Sequence, residues 1–170
     1  MHAAGARVVL VGRREVELAA AVKTMGEGAA YAMHDITQTD QTAALVQKIT
    51  REHGDITCLV NNASLFENDT PLPVTRELWN AHMEVNLRAP FVLSQEFVRQ
   101  LPEHRSGNIV NIVDERVWNL TPFFTSYTVS KAGLWTLTQT LALAFAPRVR
   151  VNAIGPGPTL PSRSRWAASR

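Results

Sequence analysis

The 170-residue sequence holds a single cysteine, Cys58, so no disulfide can form within the chain. Cys58 lies in the apolar run Ile56-Thr57-Cys58-Leu59-Val60, where a small inert thiol is the expected role. Nothing in this cysteine usage implies an oxidising compartment. No apolar run approaches the roughly 18 residues that a spanning helix needs, and no charged-then-apolar export signal opens the chain. The expected setting is therefore soluble and cytoplasmic, with no membrane partner. Charge of either sign is also scarce: charged residues make up 19% and the net charge is +2. The excess comes from 14 Arg against 3 Lys, scattered along the chain, and it excludes the concentrated basic face of a nucleic-acid binder.

What is present is a core. At 45% hydrophobic residues the chain can bury one domain, expected over residues 1–161, with 162–170 as an irregular tail. Short β-branched runs alternate with longer helical patterns, the signature of βαβ units around a parallel sheet. The strands are expected at Arg7–Val11, Ala29–Met33, Ile56–Asn61, Asn108–Val113 and Arg150–Ile154. Helices are expected at Glu15–Met25, Asp40–His53, Arg76–Leu101 and Ser126–Ala146, the last with Leu134, Leu137, Leu141 and Phe145 at helical spacing. Several strands are apolar throughout, as strands covered on both faces should be. Met1–Gly5 reads as a closing helical turn with its glycine stop.

Tyrosine and lysine are rare, two and three in the chain, yet Tyr127 and Lys131 stand one helical turn apart. Two tyrosines and three lysines over 170 positions give about 0.04 such pairs by chance. A cation beside a phenol favours the phenolate and brings its pKa toward neutrality, which acid–base chemistry exploits. Asp114 precedes Tyr127 by 13 residues and follows a predicted strand. Two further motifs, Asn61-Asn62-Ala63-Ser64 and Ile154-Gly155-Pro156-Gly157, also follow predicted strands. Ligands of open α/β sheets bind at those carboxyl ends.

With these motifs in hand, the sequence resembles the short-chain dehydrogenase/reductase family along nearly its whole length. The resemblance implies a Rossmann-like, doubly wound α/β fold and an NADP-linked oxidoreductase. It makes Asn86, Asp114, Tyr127 and Lys131 the catalytic group. It assigns cofactor binding to Asp35 at the adenine, to Asn62, Ala63, Tyr127 and Lys131, and to Pro156-Gly157 at the nicotinamide. Two departures resemble the pteridine and dihydromonapterin reductases: Asp114 where a serine is usual, and Ser64 followed by Phe66. On that likeness Ser64, Phe66, Asp114 and Tyr127 contact a pterin-like substrate, Phe66 by stacking. The alternatives are a degraded site at Asp114, with Phe66 a loop anchor, or a general carbonyl or 3-oxoacyl reductase. A further one is a non-catalytic chain acting only by association through its long helices. Arg116, Trp118 and Phe123-Phe124 lie between Asp114 and Tyr127, either on the substrate side or as packing.

No carboxylate ends the first strand, which runs instead into Gly12-Arg13-Arg14. Guanidinium groups suit a 2′-phosphate, so NADPH is expected over NADH. The resemblance also implies a preceding strand and glycine-rich phosphate turn that the sequence does not contain. Such a strand would lie between the first and third predicted strands, so a gap is expected there, with two unpaired edges. The chain is accordingly expected to be inactive by itself, the longer form being a homo-oligomer.

Overall fold

The computed structural model describes residues 2–157. The first strand, β1 (Val8–Gly12), leads into α1 (Glu15–Met25), β2 (Ala29–Met33) and α2 (Thr42–His53). The second half runs β3 (Cys58–Asn61), α3 (Arg76–Met83), α4 (Ala89–Gln100), β4 (Gly107–Ile112), α5 (Thr125–Phe145) and β5 (Val149–Ile154). This is a Rossmann-like α/β fold with every strand pairing parallel. The irregular tail and the domain limit at 161 lie outside the described residues.

Local chemistry places the boundaries. Gly26 and Gly54 close α1 and α2 at φ 85°, a conformation that other residues adopt only with strain. Thr75 caps α3, its Oγ1 accepting the Leu78 N–H at 3.2 Å. The expected opening turn is a short 3₁₀ segment, His2–Ala4, with Gly5 at φ 84°.

The single helix expected over Arg76–Leu101 is interrupted by a π-type turn at Glu84–Arg88, where the Ala89 N–H reaches back five residues to the Glu84 carbonyl. Pro90 supplies the reason. It has no N–H to give the Asn86 carbonyl, and its ring would clash there in a regular α-helix.

The strands form two sheets instead of one. β1 pairs with β2, from Val8↔Ala29 to Gly12↔Met33, and β3-β4-β5 form the other sheet. Among the described residues no ladder joins β1 to β3, so each has an unpaired edge where the gap was expected. The larger core lies between the three-stranded sheet and α4 and α5: Phe97, Leu101, Ile109, Leu141, Val149 and Val151. Each such side chain contributes about 1.5–3 kcal/mol through burial. A smaller cluster of Ala32, Leu45 and Ile49 takes in Val9 and Val11 of β1 and Ile56 ahead of β3. Packing through α2 thus links the halves that backbone pairing does not. The strands are less covered than their apolar sequences imply: Met33, Val60 and Ile154 are all exposed.

Candidate active site

The carboxyl ends of β3, β4 and β5 converge on α5. Parallel register sets this, since Asn61 pairs with Asn111 and Ile112 with Ile154, leaving the chain to leave each strand at one level. Buried amides brace the ends. Asn61 donates to Asn111 Oδ1 at 2.8 Å, and Asn111 donates to Thr138 Oγ1 of α5 at 2.9 Å. Asn61 therefore belongs to the scaffold, while Asn62, Ala63 and Ser64 beyond it are exposed.

Asp114 follows β4 and caps a 3₁₀ turn, its Oδ1 accepting the Arg116 N–H at 2.9 Å. The Arg116 guanidinium lies 3.3 Å from the same oxygen. Asp114 Oδ2 accepts the Tyr127 hydroxyl at 2.9 Å. Lys131, on the same face of α5, donates to the Ile112 carbonyl at 2.7 Å, with its ammonium 5.8 Å from the Tyr127 ring centre. The structure thus brings Asp114, Tyr127 and Lys131 together.

Their electrostatics differ from the simple expectation of a lysine-activated phenol. Burial raises the Tyr127 pKa well above its ordinary value, and the Asp114 charge and hydrogen bond raise it further. Arg116 and the Ser64 hydroxyl pull the other way without prevailing. Burial also pushes Lys131 down to about 8, opposed by Asp114. Asp114 prevails because its carboxylate touches the phenol oxygen, whereas the lysine is held at a carbonyl. Tyr127 keeps its proton at neutral pH.

Asn86 stands in the π-type turn, fully buried. Its Oδ1 accepts the Leu65 N–H at 2.8 Å and the Ser64 hydroxyl at 3.1 Å. Its amide donates to the Leu65 carbonyl and to Ser130 Oγ, each at 3.0 Å. All four positions of the side chain are filled within the protein, so it anchors the loop after β3 and has none to spare for a water.

That loop carries Phe66, whose ring stacks on Phe124 at 4.6 Å and meets Tyr127 edge-on at 4.7 Å. The Arg116 guanidinium lies 4.9 Å from the Phe124 centre and 5.4 Å from that of Phe66. Phe124 is buried, in the left-handed region at φ 60°, and its N–H bonds the Asp69 carbonyl at 2.7 Å. A bulky residue held there marks a point the surroundings over-determine. Arg116 and Phe124 therefore sit beside the candidate site, whereas Trp118 packs edge-on against Trp135 and over Gly155.

At the other half of the fold, Arg13 faces Asp35 across the ends of β1 and β2 at 3.6 Å, and Arg14 pairs with Glu17 at 3.0 Å. The backbone N–H and hydroxyl of Thr37 both donate to Asp35 Oδ1, lowering its pKa. Pro156 and Gly157 follow β5, with Gly157 against the Glu115 carboxylate.

The motifs did not disclose Asp69, Ser126 and His82, which form a buried hydrogen-bonded set beside Tyr127. Adjacency of Ser126 to Tyr127 is the one sequence signal that could have raised them. Among the described residues no group of His, Cys, Asp or Glu suits a metal ion, and no helix is long and apolar enough to cross a membrane.

Comparison with known proteins bears on the family and the fold. The structure matches FolM, alternative dihydrofolate reductase 1, of Brucella suis, solved in complex with NADP, at a TM-score of 0.89 and 41% identity. The match covers 95% of this chain and 66% of FolM. The uncharacterized oxidoreductase YvrD of Bacillus subtilis is 34% identical over 91% of this chain and 60% of its own length. The 3-oxoacyl-[acyl-carrier-protein] reductase FabG of Thermotoga maritima is 36% identical over 72% of the chain and 50% of its own. The chain thus spans no more than about two thirds of these relatives. The profile described as short chain dehydrogenase matches residues 1–169, and the chain belongs to that family.

Proposed function

We propose that the protein carrying this chain reduces a dihydropterin-like ring with NADPH. The observation that carries the reading is the contact of Asp114 with the Tyr127 hydroxyl, beside the Phe66 ring that meets Tyr127 edge-on. A flat heteroaromatic ring matches such a wall, and a carboxylate next to a protonated phenol matches ring nitrogens that gain a proton on reduction. The 41% identity to FolM, an alternative dihydrofolate reductase, supports the same substrate class.

The residues present fit the cofactor by the chemistry of their donors. The Arg13 side chain is 72% exposed and offers a guanidinium to a 2′-phosphate, with Arg14 next to it. Asp35, just past the end of β2, would hold the adenine. Asn62 and Ala63 after β3, and Pro156-Gly157 after β5, would flank the nicotinamide. Lys131 spends one N–H on the Ile112 carbonyl and has two left for ribose hydroxyls. When bound, NADPH supplies the hydride. The chain's own part is to hold the proton on Tyr127 Oη, to orient it through Asp114, and to keep Phe66 against the ring. Asn86 fixes the Phe66 loop. Phe91, Val129 and Leu143, exposed on α4 and α5, suit these helices to a homo-oligomer interface.

The test is NADPH oxidation with dihydrobiopterin, dihydromonapterin or dihydrofolate, in a version extended to the relatives' length. The expected result is turnover that Tyr127→Phe lowers about 10²–10⁴-fold. Brisk reduction of simple ketones with no dihydropterin turnover would give the assignment to a general carbonyl or 3-oxoacyl reductase.

A further inference from the structure

Asp69, Ser126 and His82 have no part in the chemistry above, yet they form a hydrogen-bonded chain next to it that closes on itself through the loop backbone at Glu67. The Glu67 N–H donates to His82 Nε2 at 3.2 Å, so this nitrogen is an acceptor and the imidazole proton sits on Nδ1. Nδ1–H then donates to Ser126 Oγ at 2.6 Å. The Ser126 hydroxyl in turn donates to Asp69 Oδ2, and the Ser126 N–H lies 3.2 Å from each Asp69 oxygen. Asp69 is two residues beyond Glu67, so the donors run from the loop through α3 and α5 and back to the loop. His82 and Ser126 are fully buried and Asp69 is 6% exposed.

The direction of the bonds decides what the set can do. Ser126 gives its proton to a carboxylate and accepts one from the imidazole. This reverses the Ser–His–acid order of a nucleophile, so hydrolytic chemistry is excluded. What the ring does is hold. Leu65 is clamped by Asn86 at both its N–H and its carbonyl, while the Glu67 N–H is fixed by His82. Phe66 lies between these two anchors. The other end of the ring, Ser126, immediately precedes Tyr127, and the Asp69 carbonyl fixes the left-handed Phe124. Burial favours the neutral imidazole that this arrangement needs, against the pull of Asp69 and Glu67.

We propose that the Asp69–Ser126–His82 set is a positioning unit that holds Phe66 edge-on against Tyr127, and with it sets the affinity for a flat substrate. The proposal rests on the reading of those two touching rings as one continuous wall of the substrate site. A protonated His82 would set Nε2–H against the Glu67 N–H, so the ring exists in one tautomer only.

Two variants separate the bonds. In His82→Gln the side-chain oxygen reaches the place of Nε2 and can still accept from Glu67. In His82→Asn the amide reaches only the place of Nδ1 and keeps Ser126 alone. The first measurement needs no substrate: imidazole nitrogen spectra and amide hydrogen exchange on the 170-residue chain. An Nδ1–H tautomer is expected, with exchange at Phe66 and Glu67 faster in His82→Asn than in His82→Gln. An Nε2–H tautomer, or equal exchange in the two variants, overturns the proposal.

The second measurement uses the extended version. KM for the dihydropterin should rise about tenfold in His82→Asn, the effect of one buried hydrogen bond. The expected values of kcat and of KM for NADPH stay within about twofold, and His82→Gln recovers most of the loss. A parallel rise in both KM values, or a fall in kcat alone, counts against a positioning role. Absence of any dihydropterin turnover defeats the functional reading instead, and the spectra still decide whether the ring pins Phe66.

Discussion

At the scale of single residues, the site is governed by which charge touches the phenol. Asp114 does and Lys131 does not, so the contact adds to the rise in the Tyr127 pKa that burial begins. Replacing Asp114 by Asn keeps the size and removes the charge, and the phenolate then becomes easier to form. Ultraviolet titration should show Tyr127 ionising at lower pH in Asp114→Asn than in the parent, where its proton persists above the ordinary tyrosine range. An unchanged titration would mean that burial alone holds the proton. Lys131 has the opposite sign. Its folded pKa, about 8, lies below the unfolded 10.5, so between those values the unfolded chain holds more protons and stability rises with pH. Above about 10 the unfolded Tyr127 loses the proton that the folded one keeps, and stability falls. Urea titrations at several pH values should show a rise from pH 8 that Lys131→Met abolishes. Tyr127, Lys131 and Asp114 were legible in the sequence because they lie within one helix or at a strand end. His82, Ser126 and Asp69 were not, because their contacts join positions 44 and 57 residues apart, which no local spacing reveals.

At the scale of elements, the alternation of strand and helix was legible throughout, and boundaries shifted by two residues or fewer wherever hydrophobic period alone fixed them. The exception is the run from Arg76 to Leu101. Its apolar pattern continues straight through the π-type turn, and only the missing N–H of Pro90, four residues beyond Asn86, points to a break. The break matters because Asn86 lies within it and anchors the Phe66 loop. Exposure was the other thing pattern could not give, since an apolar strand reads alike whether its neighbour is present or absent. The element that carries most of the site is α5. It buries Tyr127 and Lys131 beside β4, and Leu134 one turn further on, with Leu141 two turns beyond that. Leu134 is 1% exposed, so Leu134→Ala should cost about 2–5 kcal/mol in urea unfolding, by lost burial and the cavity left behind. A loss below about 1 kcal/mol would mean that the helix closes over the gap.

At the scale of the whole molecule, cohesion is unevenly shared between the two sheets. β1 and β2 make one ladder of five residue pairs, and of their ten residues only Ala32 is buried. β3, β4 and β5 share two ladders over a larger core. What crosses between them is side-chain contact. Leu45 and Ile49 of α2 and Ile56 join one cluster with Val9 and Val11. On the other side, the Thr50 hydroxyl donates to Gln100 Oε1 at 3.1 Å, and Gln100 donates to the Ile56 carbonyl at 3.0 Å. Such contacts transmit less cooperativity than a continuous ladder, because each can be lost without breaking the next. Local openings follow the stability of the unit they release. Native-state hydrogen exchange in low urea should therefore separate the chain into two units. Amides of Val8–Gly12 and Ala29–Met33 should lose protection at lower denaturant than those of Gly107–Ile112 and Val149–Ile154. Ile49→Ala should widen the difference, since it thins the core that the first pair of strands shares with α2. If instead all five strands exchange with one denaturant dependence, α2 couples the sheets as firmly as backbone pairing would, and the molecule unfolds as a single unit despite its divided sheet.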